Sequence, residues 1–216
     1  MNRLTLASAS PARLATLRAA GIEPEVVVSG VDESTVHDPD PARFVARLAE
    51  LKAHAVLERV AGRPGAEGWV LGCDSVLVLD GRVLGKPGHA AEAVRVWQAM
   101  RGRSGVLHTG HCLAEIGAGR QVTRSVATTV HFAQVSDEEI AAYVETGEPL
   151  QVAGAFTVDG WGGAFVTGID GDHHNVVGLS LPVLRVMFAE LGVVWHDLWN
   201  TPKGDVTQPA ARGHGR

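Results

Sequence analysis

Hydrophobic positions along this chain alternate between the spacing of strands and the spacing of helices. Short apolar runs at 3–7, 25–29 and 69–73 predict buried strands, and the third run ends at Asp74. Residues 41–60 repeat apolar side chains every three to four positions, which predicts a long amphipathic helix. Strands that alternate with helices in this way are typical of an α/β domain.

Turn and cap residues divide the rest of the pattern into further elements. Asp80-Gly81 between two apolar runs predicts a β-hairpin, and Ser136 with Glu139 forms a capping box that opens a helix. The other predicted elements are helices at 11–20, 90–101 and 182–191 and strands at 105–116, 121–132 and 163–169. We therefore expect one α/β domain with a mixed sheet over residues 1–199. Residues 200–216 lack apolar periodicity, which predicts a disordered C-terminal tail.

Composition excludes some classes of protein and leaves others open. The 216 residues suffice for one sizeable domain, and the net charge of −5 argues against a general nucleic-acid binder. A nucleotide ligand stays compatible with this charge, because a few local cations can hold a triphosphate. The two cysteines cannot build a disulfide framework, and no apolar run has the length of a membrane span. We expect a cytoplasmic protein with no membrane partner.

The segment after the first strand carries the residue types of a phosphate site. Ser8, Ser10 and Arg13 surround the predicted start of a helix, where backbone N–H groups and the helix dipole favour an anion. An Arg in the first turn can donate two hydrogen bonds to phosphate oxygens. The alternative is an ordinary Ser-Pro helix cap with a solvated Arg, and this segment alone favours the cap.

Three charged residues further along the chain, Asp74, Glu33 and Lys86, have two interpretations each. Asp74 is either a metal ligand or general base, or a turn residue after a strand. Glu33 is either a second oxygen ligand or a solvated loop residue. Lys86 either neutralises phosphate charge or lies on the surface before a Pro. Lys52 lies in the middle of a predicted helix, where a solvated face is expected.

Other chemistry finds little support in the sequence. His108 and His111 lie three apart in a predicted strand, so their side chains face opposite ways and do not chelate a metal. His173 and His174 are expected in a turn. Neither Cys73 nor Cys112 has a CxxC partner, so both are expected to be small buried residues. The glycine patterns of kinase-like and dinucleotide-binding folds are absent from the chain.

Read in order, the separate signals resemble one family. The chain resembles the Maf-like nucleoside triphosphate pyrophosphatases, whose fold is similar to that of inosine triphosphate pyrophosphatase, from about residue 3 to residue 193. The segments that carry the resemblance are L-A-S-A-S-P-A-R (6–13), V-S-G-V-D-E (28–33), R-L-A-E-L-K-A (47–53), G-C-D-S-V (72–76), L-G-K-P (84–87), H-T-G-H (108–111), Y-V-E-T-G-E-P-L (143–150), A-G-A-F (153–156) and H-N-V-V-G-L (174–179).

The resemblance implies a two-lobed α/β fold with a deep central cleft along the mixed sheet. It implies cleavage of a nucleotide between its α- and β-phosphates, which yields a nucleoside monophosphate and pyrophosphate, with Mg²⁺ or Mn²⁺ as the cofactor. By position, the catalytic residues are Asp74, Glu33 and Lys86, and the first two also hold the metal. The residues implied to grip the triphosphate are Ser8, Ser10, Arg13, Lys52 and Lys86.

Three residues depart from the family pattern at positions that select the base in relatives. Ala12 stands where many relatives have Arg, Ser75 where Thr or Lys is common, and Asp159 where Gln or Glu is common. The base preference of better-defined branches therefore does not transfer to this chain.

The sequence leaves a second function and the oligomeric state open. The alternative to an enzyme is a nucleotide-binding regulator of cell division and septum formation with little catalysis. The acidic balance and the single Tyr speak against a nucleic-acid-binding module. The sequence does not decide the oligomeric state, and a homodimer is one of the alternatives.

Overall fold

A mixed β-sheet forms the centre of the fold in the computed structural model, which describes residues 3–200. The strands are β1 (Leu4–Leu6), β2 (Glu25–Val26), β3 (Trp69–Leu79), β4 (Arg82–Leu84), β5 (Ser104–Glu115), β6 (Gln121–Phe132) and β7 (Val166–Asp170). Their order is β2-β1-β3-β5-β6-β7, and β4 pairs with the far end of β3. Strand β1 is parallel to both neighbours, whereas the pairs from β3 to β7 are antiparallel. The predicted mixed sheet is confirmed.

Helices flank this sheet close to the predicted places. They are α1 (Pro11–Ala19), α2 (Pro41–Ala61), α3 (Ala90–Met100), α4 (Asp137–Glu145), α5 (His173–Val177) and α6 (Leu181–Glu190), with short 3₁₀ turns at 33–35, 148–151, 153–155, 161–165 and 195–198. The capping box at Ser136 and Glu139 is present. His173 and His174 were predicted in a turn, but they begin α5 because the Asp172 side chain caps that helix. The predicted tail at 201–216 lies outside the described residues.

The prediction that a strand ends at Asp74 is wrong. Strand β3 continues to Leu79, because β5 pairs with it over the whole range from Trp69 to Val78. On the other side, β1 stops pairing after Leu6, opposite Leu71. Asp74 therefore lies in the middle of a continuous strand, just beyond the point where the parallel neighbour has left it. Strand β2 is likewise shorter than predicted, because only two residues of β1 pair with it.

Two glycines bring the long helix α2 unusually close to the sheet. A Cβ atom at Gly72 would lie 2.1 Å from the carbonyl oxygen of Ala49, and one at Gly110 would lie 2.1 Å from that of Val45. No larger residue fits without moving the helix. This close approach places Lys52, which precedes the contact residue Ala53, directly over the middle of β3.

Within the described residues, the buried apolar side chains form three clusters. One cluster gathers around Trp97, whose ring makes edge-to-face contacts with Phe132, Tyr143 and Phe165. Another joins β1 and β3 to α6 through residues such as Leu6 and Phe188. Both cysteines are buried, as predicted. Within residues 3–200, no helix is both long enough and apolar enough to cross a membrane.

Candidate active site

A cleft of about 510 Å³ opens beside the middle of β3, where β1 has left the sheet. All the side chains that the sequence predicts as site residues line it: Ser8, Ser10, Ala12, Arg13, Glu33, Lys52, Asp74, Ser75, Lys86 and Asp159. A larger cavity of about 1010 Å³ lies near the first residues of β1, but Arg63 and Glu25 on its wall pair with each other at 2.6 Å. The charged and hydroxyl side chains that the sequence predicts as site residues therefore lie in the smaller cleft.

A lysine joins two carboxylates at the floor of this cleft. The Lys52 ammonium forms ion pairs with Asp74 and with Glu33, the latter at 2.8 Å. Asp74 and Lys52 are each only 8% exposed, whereas Glu33 reaches solvent. Burial acts to raise the pKa of Glu33, but Lys52, Lys86 and Arg13 together outweigh it and hold that pKa below its usual value. Glu33 is therefore ionised at neutral pH, and it lines the cleft.

The surroundings of Arg13 differ from the sequence-based expectation. The helix-cap interpretation predicted a solvated side chain, but Arg13 is only 9% exposed. Its Nε donates to the carbonyl of Gly178 at 2.7 Å, and Nη1 donates to Ser8 Oγ and to the carbonyl of Cys73, both at 3.0 Å. Its Nη2 donates to Ser75 Oγ at 3.0 Å. Four of its five N–H groups are thus used within the protein, because residues far apart in sequence close around it.

The serine hydroxyls at the start of α1 still have protons to donate. Ser10 caps the helix and accepts from the backbone N–H of Arg13 at 3.4 Å. Ser8 Oγ accepts from the N–H of Ser10 at 3.2 Å and from the Arg13 guanidinium. Because these contacts use lone pairs, each O–H remains free to donate to an anion in the cleft. The predicted helix cap at Ser10 is confirmed, and the phosphate role of this segment stays a prediction.

A chain of hydroxyl groups runs from the cleft into the core. Thr109 Oγ1 donates to the carbonyl of Asn175 at 3.0 Å, and it lies 2.9 Å from Ser75 Oγ. Since Thr109 has one hydroxyl proton, Ser75 must donate to Thr109 while it accepts from Arg13. Ser75 therefore presents only a lone pair to the cleft.

Thr109 and Asn175 are supporting residues that the sequence reasoning missed. Both are fully buried, and the Asn175 amide donates to Thr128 Oγ1 at 3.0 Å and to two backbone carbonyls. Their motifs, H-T-G-H and H-N-V-V-G-L, carried the family resemblance, but the fold alone shows that the Thr109 hydroxyl contacts Ser75 and that the Asn175 backbone carbonyl holds Thr109.

Comparison with known proteins decides the family. A family model described as Maf-like protein matches residues 3–191. The chain belongs to the Maf-like protein family. Relatives named nucleoside triphosphate pyrophosphatase include a Salinispora tropica protein that is 57% identical over 207 residues, covering 96% of this chain and 91% of the relative. A Streptomyces coelicolor protein with the same name is 56% identical over 91% of this chain and 94% of its own length. A Cutibacterium acnes protein with that name is 55% identical, with coverages of 92% and 95%.

The donor set of this Maf-like cleft suits a hard divalent cation that also binds substrate. Asp74 and Glu33 contribute carboxylate oxygens that meet at one point, the Lys52 ammonium. Residues 3–200 contain no group of three His, Cys, Asp or Glu side chains placed to hold a metal ion. Two carboxylates completed by phosphate oxygens and water match the way Mg²⁺ is usually bound. The residues present therefore fit the implied cation once a triphosphate occupies the cleft.

One buried histidine of the Maf-like fold, His111, is expected to make its stability depend on pH. His111 Nε2 accepts a 2.9 Å hydrogen bond from the backbone N–H of Ser180, so the ring is neutral. Burial, with a smaller contribution from Arg13, lowers the pKa of His111 to about 4. The unfolded chain binds more protons than the folded one between pH 6.5 and this value, so stability falls as pH falls through that window.

We expect this histidine to contribute about 3 kcal/mol of stability at pH 7 that is lost by about pH 4. Melting temperatures of wild type and His111→Gln, measured from pH 7 to pH 4, test this. The variant should start less stable and depend less steeply on pH. His37→Gln, at an exposed position, serves as the control and should follow the wild type. Equal pH slopes in wild type and His111→Gln would refute the role of His111.

Proposed function

We propose that this chain hydrolyses nucleoside triphosphates to the nucleoside monophosphate and pyrophosphate, in the cytoplasm. The observation that carries the proposal is the Asp74–Lys52–Glu33 cluster at the floor of a cleft with anion donors on its wall. The names of the relatives support the same activity. Two unpaired cysteines fit the reducing compartment in which nucleotides are found.

Some cleft residues bind the phosphate groups, and others activate the attacking water. The hydroxyls of Ser8 and Ser10 and the backbone N–H of Ala12 at the start of α1 donate to phosphate oxygens, and Lys86 adds a positive charge at the exposed rim. Arg13 keeps one N–H for the ligand and otherwise holds Ser8 and Ser75 in place. Asp74 orients a water molecule and accepts its proton, and the adjacent Lys52 ammonium pairs with the same carboxylate. Water oxygen adds to phosphorus, and the anhydride bond between the α- and β-phosphates breaks.

Glu33 and Asp74 would hold Mg²⁺ or Mn²⁺ together with the phosphates. When bound, the cation would neutralise charge on the phosphate oxygens and polarise the anhydride. Glu33 comes from a 3₁₀ turn that Asp32 caps through a 3.0 Å bond to the N–H of Ser34, so the turn presents its carboxylate in a defined place. Lys52 separates the two carboxylates and reduces their mutual repulsion before the ligands arrive.

A nucleotide panel tests this function. Canonical and modified nucleoside triphosphates are incubated with the protein and Mg²⁺, Mn²⁺ or EDTA, and pyrophosphate release is measured. We expect turnover of at least one nucleotide that EDTA abolishes. Tight nucleotide binding without turnover would instead favour the regulator of cell division.

The base preference should follow from three cleft residues. Asp159 is exposed and accepts hydrogen bonds only, so it favours a donor on the base, while Ser75 is held by Arg13 and Thr109. Ala12 leaves space where relatives carry Arg. We expect wild type to have a broader or shifted preference, and Ala12→Arg, Ser75→Thr, Asp159→Gln together to move activity toward thymidine and uridine triphosphates.

The ratio of kcat/KM values across the panel measures this shift. Asp170→Asn, at an exposed position outside the cleft lining, is the matched surface control and should keep the wild-type order of nucleotides. If the wild type used only thymidine and uridine triphosphates and the triple change had no effect, the assignment of these residues to the base would be wrong.

A further inference from the structure

Glu148 accepts four hydrogen bonds although it lies outside the cleft lining. Its Oε1 accepts from Tyr143 Oη at 2.8 Å, from Thr157 Oγ1 at 2.6 Å and from the backbone N–H of Gly162 at 3.0 Å. Its Oε2 accepts from the backbone N–H of Trp161 at 3.0 Å. Three of these four donors belong to residues 157–162, which we call the 157–162 loop. The Glu148 carboxylate therefore holds this loop through three hydrogen bonds.

The glycines of this loop let it close on the carboxylate. A Cβ atom at Gly160 would lie 2.4 Å from Glu148 Oε2, and one at Gly162 would lie 2.5 Å from the Tyr143 hydroxyl. Any side chain at either position would push the loop away from Glu148. The sequence T-V-D-G-W-G thus fits the carboxylate on which it rests.

The other end of this arrangement is fixed in the core. The Tyr143 ring is 3% exposed and packs edge to face against Trp97 and Phe165, with centroids 5.5 Å away in each case. Its hydroxyl donates to Glu148 and also accepts from the N–H of Thr157 at 3.3 Å. The rigid aromatic cluster, the carboxylate and the loop form one continuous connection.

The 157–162 loop continues a wall of the cleft. Residues 151–153 and 156–159 line the cleft, and Asp159 lies between Thr157 and Trp161, both of which are bonded to Glu148. We propose that Glu148 is the positioning residue that fixes this wall, and thereby sets nucleotide affinity and base discrimination without touching the substrate. The inference rests on the proposed function, because it assumes that Asp159 faces the base.

The test compares two glutamates near the same helix, α4. Glu148→Gln keeps the side-chain shape but replaces one acceptor oxygen with an N–H₂ group that cannot accept from the loop. Glu139→Gln is the matched control, since Glu139 accepts a 2.8 Å bond from the N–H of Ser136 in the capping box of α4 and has no bond to the loop. Tyr143→Phe is a second variant that removes a donor to Glu148 while it keeps the aromatic packing.

Hydrogen exchange and steady-state kinetics distinguish the positioning role of Glu148 from an effect on overall stability. Amide hydrogen exchange of a peptide covering the 157–162 loop should be about tenfold faster or more in Glu148→Gln than in Glu139→Gln, with β5 unchanged in both. For the preferred nucleotide, kcat/KM should fall by about 10- to 100-fold, chiefly through KM. The ratio of kcat/KM between nucleotides should fall as well. Tyr143→Phe should change the exchange rate, kcat/KM and the ratio between nucleotides each in the direction expected for Glu148→Gln.

The outcomes distinguish failure of this inference from failure of the proposed function. If wild type hydrolyses nucleotides but Glu148→Gln matches Glu139→Gln in exchange and in KM, the inference is overturned. The inference is also overturned if exchange is faster but KM and the kcat/KM ratio between nucleotides are unchanged, because Glu148 would then not affect substrate binding. If wild type hydrolyses no nucleotide, the proposed function fails, and equilibrium binding of the same nucleotides replaces KM in the comparison.

Discussion

Asp74→Asn is expected to lower kcat by about 10²- to 10⁴-fold while the fold is retained. Asn has the volume of Asp but neither the charge that pairs with Lys52 nor the basicity to accept a proton from water. Lys52 keeps its second partner, Glu33, at 2.8 Å, so the buried ammonium is not left without a counter-charge. The loss should therefore affect turnover far more than folding.

Steady-state kinetics with the preferred nucleotide, alongside the melting temperature, measure this effect. Asp80→Asn provides the matched control, because Asp80 is an exposed turn residue with φ of 50° that Asn also tolerates. The control should retain wild-type kcat. A well-folded Asp74→Asn protein with near-normal turnover would remove Asp74 from the catalytic residues.

Arg13→Ala should destabilise the protein as well as weaken nucleotide binding. The change leaves the carbonyls of Gly178 and Cys73 and the hydroxyls of Ser8 and Ser75 without their buried partner. Losing several buried hydrogen bonds from one charged donor typically costs about 3–5 kcal/mol in all. For a domain of this size, that corresponds to a fall in melting temperature of about 6–20 °C.

Arg18→Ala is the control for this change, because Arg18 lies on the same helix but is exposed and pairs only with Glu23 at 2.6 Å. An exposed pair of this kind is screened by solvent and contributes little to stability. Differential scanning calorimetry and nucleotide titration of both variants give the comparison. Unchanged melting temperature with lost affinity in Arg13→Ala would mean that the side chain is only a phosphate ligand.

Much of the fold follows from local sequence signals. The bounds of α2 and α3 and the capping box of α4 match the prediction within a residue or two, because periodicity and caps act over short distances. The site residues also share one cleft, as the ordered motifs implied. These features depend on what each segment can bury or cap by itself.

The remaining features depend on partners that are distant in sequence. Whether β3 ends at Asp74 is decided by β5, which lies more than thirty residues later and continues the pairing. The burial of Arg13 is decided by Gly178, 165 positions away, and by Cys73. The role of Glu148 likewise becomes visible only when the 157–162 loop folds over it. No periodicity along the chain carries this information.

The products of hydrolysis test the central claim most directly. Purified protein is incubated with a nucleoside triphosphate and Mg²⁺ or Mn²⁺ in H₂¹⁸O, and the products are followed by ³¹P NMR, with Asp74→Asn as the control for contaminating enzymes. The account predicts nucleoside monophosphate and pyrophosphate in equal amounts, with one ¹⁸O atom incorporated at the broken anhydride and almost no product from the variant. Nucleoside diphosphate and phosphate as the products, or equal turnover by Asp74→Asn, would contradict it.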